Sequence, residues 1–244
     1  MEIQGKSSLI DEYETRAGGL SATFPPKAKV APKFSRLPNH VGLIPDGNRR
    51  WARMRGLLPQ LGYAAGLERG LKMLDECLHI GIREVSVYGF TTDNAKRPPD
   101  QSEAFTNACV GFVESARERD VAIRVVGDTM SSMFPQKLRP YADARMGKGM
   151  RVNVLVNYGW EWDLRTAAQG DPKRRFHERL ASADVSRIDL LVRWGGMRRL
   201  SGMLPVQTVY SDFYVVEDLW PDYEAEQFYE ALRWYARQDV TMGG

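Results

Sequence analysis

Asp46 is a single acid set among cations. The stretch LIPDGNRRWARMRG, residues 43–56, follows an apolar run and carries arginines at 49, 50, 53 and 55. Asp46-Gly47-Asn48 has the composition of a tight turn, and a helix is expected from about Arg50. Two chemistries suit such a turn. It can cap an ordinary helix. It can also hold a phosphate on exposed backbone N–H groups and arginines, with Asp46 binding Mg²⁺ against it, because hard oxygen ligands suit that cation.

Two further stretches offer related groups. YGFTTDNAKRPPD brings Thr91, Asn94 and Arg97, though taken alone it is better explained by a plain Thr/Asp helix cap followed by a proline-ended loop. DLLVRWGGMRRLSG brings Arg193, Arg198, Arg199 and Ser201 around Gly195-Gly196. Guanidinium forks bind phosphate bidentately, and glycines let backbone N–H groups approach. Asp212, in VYSDFY, follows as a second carboxylate for metal. The histidines, at 40, 79 and 177, have no ligand spacing, and no CxxC, GxGxxG or P-loop occurs.

These loops need elements to position them. HVGLIP, EVSVYGF, VAIRVVGD, MRVNVLVNYG, RIDLLVRWGG and DFYVVEDL have the run lengths and residue types of buried strands. Between them lie helical patterns, such as Leu67, Leu71, Leu74 and Leu78 before Gly81. Strands alternating with helices predict an α/β fold with a largely parallel sheet, whose site lies beyond the carboxyl ends of the strands. Each of the three loops follows a predicted strand.

Composition bounds the rest. A chain of 244 residues with 43% hydrophobic content can build one large domain. A net charge of +3 is too small an excess to point to nucleic acid. Cys77 and Cys109 fall in helical patterns and are expected as two buried, reduced thiols. With neither a secretory leader pattern nor a membrane-spanning run, the sequence predicts a cytoplasmic protein. Residues 1–38, rich in proline and lysine near their end, are expected to form an irregular arm before a domain over 39–244.

Taken in order, HVGLIPDGNRRWA, VYGFTTDNAKRP, IRVVGD, VNVLVNYG, IDLLVRWGG with its downstream Arg and Ser, and YSDFYVVEDLWPDYEAEQFYEAL resemble the signature blocks of the cis-prenyltransferases. These are the (Z)-prenyl diphosphate synthases, with undecaprenyl diphosphate synthase the best-known member. The resemblance covers about four fifths of the chain. It implies a single α/β domain with a mainly parallel six-stranded sheet ringed by helices and a hydrophobic tunnel. It also implies a homodimer, a Mg²⁺ cofactor, and condensation of an allylic diphosphate with isopentenyl diphosphate. Peripheral membrane contact would follow if the product is long. Asp46 falls on the family's essential aspartate, at the allylic diphosphate and metal. Gly47, Asn48, Arg49 and Arg50 fall on the diphosphate loop, and Asn94 and Arg97 on the pair that positions and ionises the allylic substrate. Arg193, Arg199 and Ser201 fall on the isopentenyl diphosphate site. Asp212 falls on a metal-binding glutamate.

The chain also departs from that pattern. Trp194, Met197 and Gly202 replace Thr, Glu and Asn in the second-substrate loop. Tyr63 replaces a His, and Pro59 stands where a basic residue is common. Gln101 replaces a Glu, and Trp160-Glu161 replace a Gly-Arg tail. The segment between Leu164 and Ile188 is short, and the C-terminal tail reads DVTMGG. The altered loop keeps two alternatives open: irregular, head-to-middle coupling of dimethylallyl units of the lavandulyl type, and a non-catalytic prenyl-diphosphate-binding subunit. Arg49 points to short products, and Gly89, small where the tunnel is expected, points to long ones.

Overall fold

The computed structural model describes residues 32–239. The expected arm over 1–38 therefore lies mostly outside the described residues, as does the end of the C-terminal tail.

Seven strands form one sheet: β1 (His40–Ile44), β2 (Glu84–Tyr88), β3 (Val121–Val126), β4 (Met146–Gly147), β5 (Met150–Leu155), β6 (Leu190–Arg193) and β7 (Asp212–Val215). Their order is β4-β3-β5-β2-β1-β6-β7. Six of them run parallel, as the sequence predicts. The seventh, β4, is a two-residue antiparallel edge strand on β3 that no alternation pattern of useful length could announce.

The helices are α1 (Asn48–Met54), α2 (Leu61–Ile80), α3 (Pro99–Ala116), α4 (Arg139–Asp143), α5 (Trp160–Gln169) and α6 (Ala225–Ala236). Gly81 closes α2 in the left-handed conformation, its N–H bonded to the carbonyls of Cys77 and Leu78. The helix read from Leu67, Leu71, Leu74 and Leu78 begins more than a turn before that stripe, at Leu61. No helix of the described residues is long and apolar enough to cross a membrane.

Period-two alternation gives the sheet two apolar faces. Val41, Leu43, Val85, Val152, Leu190 and Val192 pack on one side with Met73 and Leu74 of α2, Phe112 and Val113 of α3, and Phe228 and Leu232 of α6. Ile44, Leu155, Leu191, Met203 and Leu204 form a smaller cluster on the other. Both cysteines are free and buried, as expected, and burial pushes the Cys109 thiol up to about 12.

Glycines at 62, 66 and 70 lie one helical turn apart on α2. A Cβ at Gly62 would come 2.1 Å from the Asn48 carbonyl oxygen, and one at Gly66 would come 2.2 Å from Asn48 Oδ1. The bare stripe lets α2 press directly on the start of α1, and the Trp220 indole N–H reaches the Gly66 carbonyl at 2.8 Å. The turn at Asp46 is thereby braced from behind.

At the amino ends of the strands lies a buried polar network. His40 is fully buried; its Nδ1 donates to the Ser186 carbonyl (3.0 Å) and its Nε2 accepts from the Ser86 hydroxyl (2.8 Å). That pairing requires the neutral ring. Burial lowers the His40 pKa below its ordinary value, against the raising effects of Glu84 and Asp189. The unfolded chain therefore binds a proton at His40 before the native one does. Stability from this group is complete above about pH 6.5 and is lost as pH falls below it. The urea midpoint is expected to be flat above about pH 7, to fall toward pH 5, and to lose that decline in His40→Asn. An unchanged pH profile in the variant would contradict this assignment.

Candidate functional site

β1, β2 and β6 lie side by side, with Leu43 opposite both Val87 and Val192, and Ile44 opposite Arg193. Their carboxyl ends therefore deliver three loops to one place. The result is a cleft of about 360 Å³ lined by Asp46, Gly47, Asn48, Arg49, Arg50, Thr91, Asn94, Arg97, Arg193, Arg199 and Ser201. Every candidate residue of the three loops except Arg198 meets there.

Asp46 does not cap α1. The cap residue is Gly47, in the left-handed conformation, with no side-chain cap bond. Instead Asp46 Oδ2 lies 2.8 Å from Arg193 Nη2, and Oδ1 lies 3.6 Å from Arg50 Nη2. Arg193 is only 4% exposed, so its charge depends on these partners. Its Nη1 donates to Ser201 Oγ at 2.8 Å and to the Arg199 carbonyl. Its Nε is buried with no partner among the described residues. Arg50 Nη2 donates to the Gly195 carbonyl at 2.9 Å, so the first and third loops are tied twice.

Ser201 has a φ of +52°, unusual for a residue with a side chain. Its carbonyl accepts from the Tyr88 hydroxyl at 2.6 Å while Arg193 holds its Oγ. Two tethers on one strained residue fix the loop. Trp194 does not enter the cleft. It continues the Leu190, Val192 phase into the core, edge-on to Trp220 (4.8 Å), with its indole N–H bonded to Gln227 Oε1 at 3.0 Å. Gly202, with a φ of +78°, lies under Trp160: a Cβ there would come 2.6 Å from Trp160 Cδ1. The two departures Trp160 and Gly202 thus fit one another. Arg198 turns outward and pairs with Glu217, both well exposed.

The second loop is both a cap and a wall of the cleft. Asn94 Oδ1 accepts the Thr91 N–H at 3.1 Å, closing a capping box on the short 3-10 helix Thr92–Lys96. Arg97 leaves that turn, and its Nη1 donates to the Tyr63 hydroxyl at 2.8 Å. Tyr63 stacks on Phe105 with ring centroids 4.6 Å apart and planes 4° from parallel. Burial raises the Tyr63 pKa, with Arg97 and Arg49 opposing.

Asp212 is not brought to this cleft. β6 and β7 are parallel, so the chain must return to the amino end of the sheet before β7 begins. Asp212 starts β7 opposite Leu190, three residues and about 10 Å below Arg193. There it neighbours Asp189, Arg36 and Arg187, and burial raises its pKa against the two arginines. The expectation that Asp212 shares a metal with Asp46 within this chain is corrected on that ground. Among the described residues no group of three or more His, Cys, Asp or Glu side chains could hold a metal. Asp46, a third exposed, can hold one face of a Mg²⁺ whose other ligands are phosphate oxygens and water, which is how that ion is commonly bound.

Tyr88, Asp93, Phe105 and the two-residue tether of Ser201 were not singled out from sequence as parts of the cleft. Nothing in the spacing of Tyr88 separates it from an ordinary strand residue. The alternation of β2 could only say that every second side chain shares a face.

Beyond Tyr63, Gly89 and Phe105 the polar cleft meets an apolar chamber of about 60 Å³ between α2, α3 and the sheet. The fold brings a cluster of cations to the mouth of an apolar chamber, a lining whose chemistry suits a phosphorylated molecule with an apolar tail. Residues 44–243 match the prenyltransferase family described as undecaprenyl diphosphate synthase, and the chain belongs to that family. It is a transferase of prenyl groups. An isoprenyl transferase of Thermus thermophilus is 32% identical over 239 residues, spanning 86% of this chain and 90% of that protein. The ditrans,polycis-undecaprenyl-diphosphate synthase of Escherichia coli (strain K12), named as (2E,6E)-farnesyl-diphosphate specific, is 28% identical, spanning 92% of this chain and 96% of its own. Among solved structures, lavandulyl diphosphate synthase from Lavandula x intermedia in complex with dimethylallyl diphosphate shares the fold: TM-score 0.76, 24% identity, 85% of this chain and 99% of that one.

Gly195 has a φ of +86°, and a Cβ there would come 2.5 Å from Arg50 Nη2. Gly195→Ala is expected to cost about 1–2 kcal/mol in urea unfolding through the left-handed backbone alone. It should also weaken inorganic pyrophosphate binding by displacing Arg50. Unchanged stability together with unchanged affinity would contradict the geometry.

Proposed function

We propose that the protein condenses an allylic diphosphate with isopentenyl diphosphate, in a Mg²⁺-dependent reaction, to give a (Z)-prenyl diphosphate. One observation carries the reading. Five arginines (49, 50, 97, 193 and 199) and the partly exposed Asp46 line a single cleft that opens directly onto an apolar chamber. Family membership supports the reaction class.

In this reading Arg49, Arg50 and the turn at Gly47 hold the allylic diphosphate, while Arg193, Arg199 and Ser201 hold the second one. Asp46 would hold a Mg²⁺, which when bound would supply neutralisation of the charge developing on the leaving diphosphate. When the allylic C–O bond breaks, diphosphate leaves and positive charge spreads over the allyl carbons. Arg97 and Arg50 steady the departing charge, a role in which preorganised donors act most strongly. The alkene of the second substrate forms the new C–C bond, and a proton lost from it passes to diphosphate oxygen. Asp46–Arg193 contact sets the two diphosphate sites side by side, which supplies the required proximity. The half-exposed edge strand β7, with exposed Val209 and Tyr210 before it, supports a homodimer.

A second reading is head-to-middle coupling of two dimethylallyl units. It is favoured by the rebuilt 193–202 loop, where Met197 replaces a carboxylate and Trp160 packs over Gly202. The complex of the structural neighbour with dimethylallyl diphosphate is in keeping with it. Incubation with Mg²⁺ and dimethylallyl diphosphate, with and without isopentenyl diphosphate, separates the two. Product that requires isopentenyl diphosphate supports condensation, and product from dimethylallyl diphosphate alone refutes it. Asp46→Ala is expected to lower turnover at least about 100-fold and to lower the unfolding midpoint as well, because it leaves the buried Arg193 guanidinium without its carboxylate. Chelation of divalent cations should abolish turnover reversibly. Near-normal rates in either case would sink the metal assignment.

A further inference from the structure

We infer, resting on the two-diphosphate reading of the cleft, that Tyr88 is a positioning residue for the second diphosphate alone. Its hydroxyl sets Ser201 and, through Ser201, the fork of Arg193.

Tyr88 is the last residue of β2. It packs against the smaller apolar cluster and also lines the cleft. Its hydroxyl donates to the Ser201 carbonyl at 2.6 Å. Ser201 is the residue with most need of such a tether, because its φ of +52° is a conformation that a side chain disfavours. Strain of this kind persists only where surrounding contacts over-determine it. Were the turn to relax, Ser201 Oγ would leave Arg193 Nη1, now 2.8 Å away. The same nitrogen donates to the Arg199 carbonyl, so the 199–201 turn as a whole aims the guanidinium. Burial, helped by the charge of Asp93, raises the Tyr88 phenol above its ordinary value against the opposing effect of Arg193. The group therefore stays a donor throughout the neutral range.

A buried frame holds Tyr88 in turn. Tyr158 is fully buried and meets the Tyr88 ring edge-on, with centroids 6.5 Å apart. Its hydroxyl donates to Asp163 Oδ2 at 3.0 Å. Asp163, itself 2% exposed, also accepts from the Ser182 N–H at 3.1 Å and the Ser182 hydroxyl at 2.6 Å. Three donors on one buried carboxylate fix the Tyr158 ring, since any swing would leave a buried polar group unmet. Asp163 and Trp160 share the first turn of α5, and Trp160 lies over Gly202. One turn of helix thus braces Tyr158 behind Tyr88 and covers the residue after Ser201. Among the described residues the Tyr88 hydroxyl bonds to the 193–202 loop, whereas Arg49, Arg50 and the turn at Gly47 stand on other contacts. Loss of that hydroxyl should therefore be felt in one half of the cleft.

The test is calorimetry on the full chain with Mg²⁺. Inert dimethylallyl thiolodiphosphate is titrated first, and isopentenyl diphosphate is then titrated onto the loaded protein. Tyr88→Phe keeps the ring and removes only the donor. It should bind isopentenyl diphosphate about fivefold to tenfold more weakly than the wild type, the scale of one hydrogen bond, with affinity for the thiolodiphosphate held within about twofold. In Ser201→Ala the fork has already lost its Oγ partner, so adding Tyr88→Phe should cost less than about a further twofold. Steady-state rates should repeat the split, with KM rising for isopentenyl diphosphate and holding for the allylic substrate. Equal losses for the two ligands, or a loss under about twofold for isopentenyl diphosphate, would overturn the inference. Additive losses in the double variant would overturn it too, because Tyr88 would then act without Ser201. A loaded wild type that takes up no isopentenyl diphosphate would overturn the two-diphosphate reading and the role of Tyr88 with it. Absence of product with every substrate pair, alongside the selective loss in Tyr88→Phe, would overturn the proposed condensation and uphold that role.

Discussion

The ion pair between Asp46 and Arg193 is the contact on which the site depends. Arg193 is nearly buried, and a guanidinium in that position is costly unless its donors are met. Asp46, Ser201 and the Arg199 carbonyl meet them. The same contact joins the loop after β1 to the loop after β6. It therefore works as a structural link and, in the proposed reading, as the junction between the two diphosphate sites. Removing Asp46 leaves a nearly buried guanidinium without its carboxylate, so the pair is expected to matter well beyond the ordinary surface salt bridge.

The sheet makes the contact unavoidable. Ile44 lies opposite Arg193, and Asp46 follows by two residues, so the two side chains emerge at one level. The Asp46 backbone is pinned as well, its N–H on the Ile44 carbonyl at 2.9 Å and its own carbonyl receiving the Trp220 N–H at 2.9 Å. Behind it the bare glycine face of α2 allows Asn48 and Trp220 to approach closely. Core packing and site geometry are in this way one construction. Trp194, buried against Trp220 and Gln227, braces α6 and the last turn before it while its neighbour Arg193 faces the cleft.

Much of this was legible in the sequence. Six strands with interposed helices were readable because each strand is a short buried run and parallel pairing needs a crossover. The three loops were readable because Gly, Asp, Asn and Arg cluster directly after strands. Asp212 was misplaced for a reason a motif cannot reveal. It follows Ser201 closely along the chain, yet the crossover between parallel strands carries it to the opposite end of the sheet. Trp194 looked like a change in the second-substrate site, but alternation along β6 assigns it to the core and Arg193 to the cleft. The 3-10 turn at Thr92–Lys96 has both of the roles open to it, since Asn94 caps the turn that presents Arg97. The short edge strand β4 and the Tyr88 tether depend on tertiary contacts that carry no local pattern.

Two of the departures in the 193–202 loop are absorbed by packing, Gly202 under Trp160 and Trp194 against Gln227, while Arg193, Arg199 and Ser201 still line the cleft. If Asp46 and Arg193 act as one unit, their effects on the neighbouring anion site cannot be independent. Calorimetric affinity for isopentenyl diphosphate in the wild type, Asp46→Asn, Arg193→Gln and the double variant measures that directly. The account predicts a double variant little worse than the worse single one, a coupling of at least about 1 kcal/mol. Losses that add within about 0.5 kcal/mol would contradict it.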